Sequence, residues 1–133
     1  MQNQDTPGYD DPNLFNHNDF VLRRDRVLDT FDRHAPLAEV DAGLDALLHQ
    51  MRSQFDREER AMQAVQFPPA AAHKSDHDRA CADLAHRIAR WKSERDREAM
   101  LDFIEAGLAD WFVRHVNTRD YITARYLADP RVR

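Results

Sequence analysis

Gln54 and Glu58 stand four residues apart, as do His73 and His77, and the short stretch between the two pairs contains Pro68 and Pro69. Residues at i and i+4 lie one above the other on a helix. Two antiparallel helices joined by that stretch would turn a carboxylate and two imidazoles toward one interior, the way helical bundles build metal sites in their cores. Two more histidines fall on apolar stripes: His17, one turn before Phe20 and Val21, and His115, after Trp111 and Phe112. Imidazoles with carboxylates suit iron, manganese or zinc, and a set this large exceeds one tetrahedral zinc, so it suggests two metals sharing carboxylates.

Each residue also has a plain structural reading. A lone inward histidine is usually a core side chain hydrogen-bonded to a carbonyl or a carboxylate, and Trp111 or Met62 at helical spacing is more often core than pocket. Glu58 beside Glu59 reads equally as a charged surface pair. His34, His49 and His86 fall off the apolar stripes and read as surface. The metal reading prevails because polar, ligand-type side chains coincide with the apolar stripes of all four helices. Asp120 is not selected by spacing: five residues from His115 is about 140° around a regular helix, so it joins His115 only if the helix widens or its side chain reaches back.

The elements that must position these groups are helical. The chain of 133 residues is one domain with a real core. It has only three glycines and abundant Ala, Leu, Arg, Asp and Glu, which argues for an all-α protein. Residues 1–15, rich in Asn, Asp and Pro, read as an irregular N-terminal arm, with Leu14 and Phe15 placed to tether its end. Residues 16–128 then form four helices. The first runs from about Asn16 to Arg33, with Phe20, Val21, Val27, Leu28 and Phe31 inward; the second from about Leu37 to Val65, with Val40, Leu44, Leu47, Met51, Gln54, Phe55, Glu58, Met62 and Val65 as its stripe. The third covers about Ala70 to Trp91, with His73, His77, Cys81, Leu84, Ile88 and Trp91 on one face. The fourth opens near Ser93, whose hydroxyl is the expected cap, and runs to about Leu127. Short links between long amphipathic helices make an antiparallel up-down four-helix bundle the expected packing.

The charge of -5 speaks against nucleic acid as a partner. No apolar run approaches a membrane span and no leader pattern opens the chain, so a cytoplasmic protein is expected. The single cysteine, Cys81, forms no internal disulfide and fits a reducing compartment. No glycine-rich phosphate loop, Cys-x-x-Cys pair or serine-nucleophile motif is present.

The sequence Gln54-Phe-x-x-Glu58-Glu59-x-x-Met62, followed by Phe67-Pro68, His73-x-x-x-His77 and Trp111-x-x-x-His115-Val116-x-x-x-Asp120, resembles the hemerythrin family, particularly its single-domain bacterial members. The resemblance covers about Leu14 to Leu127. It implies a four-helix bundle around two non-haem iron ions with a bridging oxygen species, binding dioxygen reversibly at one iron. By resemblance, His73, His77 and His115 hold one iron, Glu58 and Asp120 bridge, His17 matches the first-helix ligand of the second iron, and Trp111 lies against the oxygen pocket.

The family pattern has His-Phe-x-x-Glu where this chain has Gln54, at a position that should ligate the second iron. An amide oxygen is a poorer donor than imidazole. Three outcomes are open: weak ligation by Gln54, water in its place, or a second metal that binds loosely or not at all. The family's acidic residue one turn before the first-helix histidine is Leu14 here. Where the family commonly has Phe three positions after His77, this chain has Ala80, which implies either compensating bulk elsewhere or extra space beside the metals. Three functions are therefore carried forward: a dioxygen-binding protein for storage, sensing or delivery; a di-iron enzyme of oxygenase or peroxidase type acting on a small-molecule substrate; and a bundle with a degenerate site that acts through its surface.

Overall fold

The computed structural model describes residues 13–129 and Arg131. The greater part of the expected arm, and Pro130 beyond the last helix, lie outside the described residues. Three helices, α1 (Asn18–Asp32), α2 (Leu37–Ala64) and α3 (Ala70–Glu94), are followed by a fourth rod, α4, over 97–128. That rod is continuous but not uniform. α-Helical segments Arg97–Asp102, Leu108–His115 and Tyr121–Ala128 alternate with π-helical turns at Phe103–Gly107 and Val116–Asp120. Consecutive helices pack against each other, and α4 closes the four-helix bundle against α1, where Arg24 donates to the carbonyls of Ile104 and Glu105.

The helix ends explain the short links. After α1, His34 adopts a left-handed φ of 51° and donates to Phe31 O, while Ala35 N donates to Thr30 O. After α2, Gln66 does the same at φ 53°, with Gln66 N on Gln63 O and Phe67 N on Met62 O. Both are Schellman closures made without glycine. Phe67, buried at the second, packs on Tyr126. Pro36 and Pro69 then stand at the N-caps of α2 and α3, where a missing N–H is harmless.

The expected start of the last helix at Ser93 is wrong. α3 runs three residues past Trp91 to Glu94, so Ser93 is helical; Arg95 turns left-handed, and Asp96 caps α4 by accepting from Ala99 N. Asp41 on α2 holds that corner, accepting from both Arg95 Nη atoms at 2.7 and 3.1 Å and from Trp91 Nε1 at 2.9 Å. The inner stripes are otherwise buried as expected, except that Val21 is exposed and Leu28, Val65, Trp111, Phe112 and Val116 are only half-buried. One apolar cluster fills the end of the bundle around Phe31, Leu44, Leu84 and Ile104; a smaller one at the other end joins Leu14, Ala61 and Leu127. Polar side chains occupy the layer between them.

Candidate metal centre

Glu58 from α2, His73 and His77 from α3, and His115 and Asp120 from α4 are each at most 2 % exposed. One donor atom from each comes within 4.8 Å of all the others. The three imidazoles converge through Nε2: His115 Nε2 lies 3.2 Å from His73 Nε2 and 3.0 Å from His77 Nε2. Asp120 Oδ1 is 3.0 Å from both His73 and His115 Nε2, and Glu58 Oε1 is 3.2 Å from His77 Nε2.

The outward nitrogens fix which way each ring is protonated. His77 Nδ1 meets Glu59 Oε2 at 2.8 Å, and His115 Nδ1 meets Asp76 Oδ2 at 2.5 Å. His73 Nδ1 meets Thr123 Oγ1 at 2.8 Å, and that hydroxyl donates its own proton to Arg119 O, so it accepts from the ring. All three rings therefore carry their proton on Nδ1 and aim a bare Nε2 lone pair at the centre. This is the arrangement that orients histidines for a metal.

Lone pairs facing lone pairs repel. Glu58 Oε1 and Asp120 Oδ2 are buried oxygens with no hydrogen bond, which is costly for ionised groups unless a cation or proton stands between them. Two nitrogens about 2.1 Å from one cation and at right angles stand roughly 3 Å apart. The observed separations and the donor chemistry fit a bound metal cation.

With protein groups alone, protons share the load. Burial and the neighbouring Asp120 charge push the Glu58 carboxyl up to about 7. Burial pulls His77 down to about 4, against the pull of Glu59. Burial would lower His115 too, but the facing carboxylates of Asp120 and Asp76 hold it above its usual value. Asp120 lies well below the carboxylate range: burial would raise it, and the surrounding imidazoles of His115, His17 and His73 outweigh that.

The remaining selected residues lie to one side. His17, at the N-cap of α1, brings Nε2 within 2.9 Å of Asp120 Oδ2, yet neither atom is satisfied by a hydrogen bond. Its ring stands edge-on to Phe112. Gln54 is buried, and its partners orient its amide: Nε2 donates to Leu14 O and, at 3.0 Å, to Glu58 Oε2, while Oε1 accepts from Arg57. Trp111 stacks on the His115 ring at 4.7 Å, and Phe55 stacks flat on His77 at 3.8 Å. Beside Cys81 the space is a surface groove of about 350 Å³ that includes His77, Glu59 and Arg52. Cys81 itself is buried, and burial pushes its thiol up to about 11.

Sequence reasoning missed the three anchors. Glu59 neighbours Glu58 in sequence, yet Glu58 points inward while Glu59 reaches around to the outer nitrogen of His77. Asp76 supports a histidine on another helix, and nothing in its local sequence marks it. Thr123 stands three residues after Asp120, one turn along the same face, which is a usable signal.

Among known proteins, the chain is similar to Bacteriohemerythrin from Aquifex aeolicus (strain VF5), with 26% identity over 113 residues, 85% of this chain and 86% of that protein. It is also similar to Bacteriohemerythrin from Ralstonia nicotianae (strain ATCC BAA-1114 / GMI1000), 28% identical over 113 residues, 85% and 77% of the two chains. A third Bacteriohemerythrin, from Methylococcus capsulatus (strain ATCC 33009 / NCIMB 11132 / Bath), is 32% identical over 82 residues, 59% of each chain. No family model matches the chain, and no solved structure does.

Proposed function

Because this chain is a hemerythrin-like relative of the bacteriohemerythrins, we propose that its buried cluster is a non-haem iron centre, with room for a second iron, that binds dioxygen. The observation that carries this reading is the inward set of three bare Nε2 lone pairs beside two buried carboxylate oxygens without hydrogen bonds. Iron bound there would supply the reversible electron transfer that dioxygen uptake requires.

The chain's own residues do the rest. Glu59, Asp76 and Thr123 hold the rings in the tautomer that ligates. Glu58 and Asp120 each turn one oxygen toward the three imidazoles and the other toward Gln54 or His17, so each would offer an oxygen to a cation on either side. Phe55, Trp111 and Phe112 surround the rings with apolar surface that limits water. No helix among the described residues is long and apolar enough to cross a membrane.

The test is optical. Iron-loaded protein reduced without air and then exposed to it should develop a visible absorption band that disappears on deoxygenation and returns. Iron-loaded protein that never shows a reversible band overturns dioxygen carriage.

One observation favours a second reading, an oxygenase or peroxidase. Gln54 directs an N–H donor, not a ligand, toward Glu58, and a site with an unfilled coordination position favours reaction over reversible binding. Metal-dependent turnover of hydrogen peroxide that is lost in Glu58→Ala supports that reading; equal rates with and without metal remove it.

A further inference from the structure

The two sides of the cluster are not equivalent. On one side stand three imidazoles, each anchored at Nδ1 by Glu59, Asp76 or Thr123, together with Glu58 Oε1 and Asp120 Oδ1. On the other side stand His17 Nε2, Asp120 Oδ2, Glu58 Oε2 and Gln54. Here Glu58 Oε2 already accepts from Gln54 Nε2. An amide NH₂ has no lone pair to give a cation. The amide cannot simply be turned over: that would set its oxygen against Leu14 O and the Glu58 carboxylate, and its NH₂ against the Arg57 guanidinium. The Arg57 charge is itself only one side chain away.

The His17 ring is also the least enclosed of the four imidazoles, its side chain 10 % exposed against 1 % for the other three. A surface depression of about 220 Å³ is lined by Asn16 and Asn18, which flank His17, and by Arg57, which holds Gln54.

We infer that the chain holds one metal firmly at His73, His77 and His115 and a second only loosely at His17, with Gln54 and Arg57 acting to weaken that second position so that its filling follows the free metal concentration. The inference rests on the iron-centre reading above. The difference in affinity should be at least about tenfold, the lower end of what losing a group that supports a metal site costs.

The experiment titrates the full chain with ferrous iron under anaerobic conditions, desalts it, and counts iron per chain by mass spectrometry. Binding in two separated phases, with about one iron per chain surviving desalting, is the expected result. Gln54→His should raise the retained count toward two, and His17→Ala should leave the firmly held iron in place. Two irons retained with equal firmness by the unaltered chain overturn the inference while leaving the iron-centre reading intact. Loss of all retained iron in a folded His17→Ala variant also overturns it, because His17 would then belong to the firm site. A folded, unaltered chain that retains none overturns the iron-centre reading and this inference with it. The two-phase titration needs no variant, so it decides the matter even if a substitution fails to fold.

Discussion

His115 Nε2 and Asp120 Oδ1 lie 3.0 Å apart although five residues separate them along one helical rod. The π-helical turn Val116–Asp120 brings them together. In a regular α-helix the fifth residue points about 140° away; a single wide turn absorbs one extra residue and returns Asp120 to the inner face. Thr123 and Leu127, both buried, keep that face beyond it.

Changing the residue count in this turn therefore has opposite effects by sign. Deleting the exposed Asn117 turns the wide turn into an ordinary α-helical one and leaves the acid four residues from His115, so iron retention should survive. Inserting an alanine after Thr118 should swing Asp120 and Thr123 about 100° off the face and abolish retention, with circular dichroism still helical. Retention after the insertion and loss after the deletion would contradict the role given to this turn.

Removing a ring anchor should loosen the iron without removing a ligand. Asp76→Asn and Thr123→Val are each expected to weaken iron binding by about 10–100-fold, measured by competition with a chelator. Unchanged affinity in both variants would show that the rings are held by packing alone, chiefly by Phe55 and Trp111.

Iron binding should strengthen as pH rises from about 5 toward 7. Glu58, with its carboxyl raised to about 7, carries a proton across that range and must release it to accept a cation. His77, near 4, is already neutral. Glu58 alone predicts about a tenfold gain per pH unit below 7, with levelling at higher pH. Isothermal titration at several pH values measures it; affinity independent of pH between 5 and 7 would contradict the protonation assigned here.

The stripes that build the bundle could be read directly, because Leu44, Leu47, Met51, Leu84 and Ile88 recur at helical spacing and each is buried. The same stripes gave Glu58, His73, His77 and His115. What periodicity cannot carry is a change in the period itself, and Asp120 depends on one. Nor can it carry contacts that cross between helices: Asp76 on α3 meets His115 on α4, and the left-handed bend at Arg95, held by Asp41 on α2, moved the start of α4 from Ser93 to Asp96. Gln54 could be recognised as the odd residue from sequence, but which end of its amide faces Glu58 needed Leu14 and Arg57 to settle.

Two helix ends offer a stability test away from the metal. His34 and Gln66 hold a left-handed conformation that disfavours residues bearing a Cβ. His34→Gly and Gln66→Gly should each stabilise the protein by about 1 kcal/mol in urea unfolding. Arg95→Gly, at the third such position, should not, because it gives up the paired contact with Asp41. Destabilisation by both of the first two changes would contradict the strain assigned to those ends.

Iron K-edge X-ray absorption of the loaded protein reads directly whether imidazoles from separate helices surround iron in the core. A mixed nitrogen and oxygen shell is expected, with the outer-shell scattering of at least three imidazole rings, lost in part in His77→Ala. A spectrum of iron in an all-oxygen shell without imidazole scattering would contradict it.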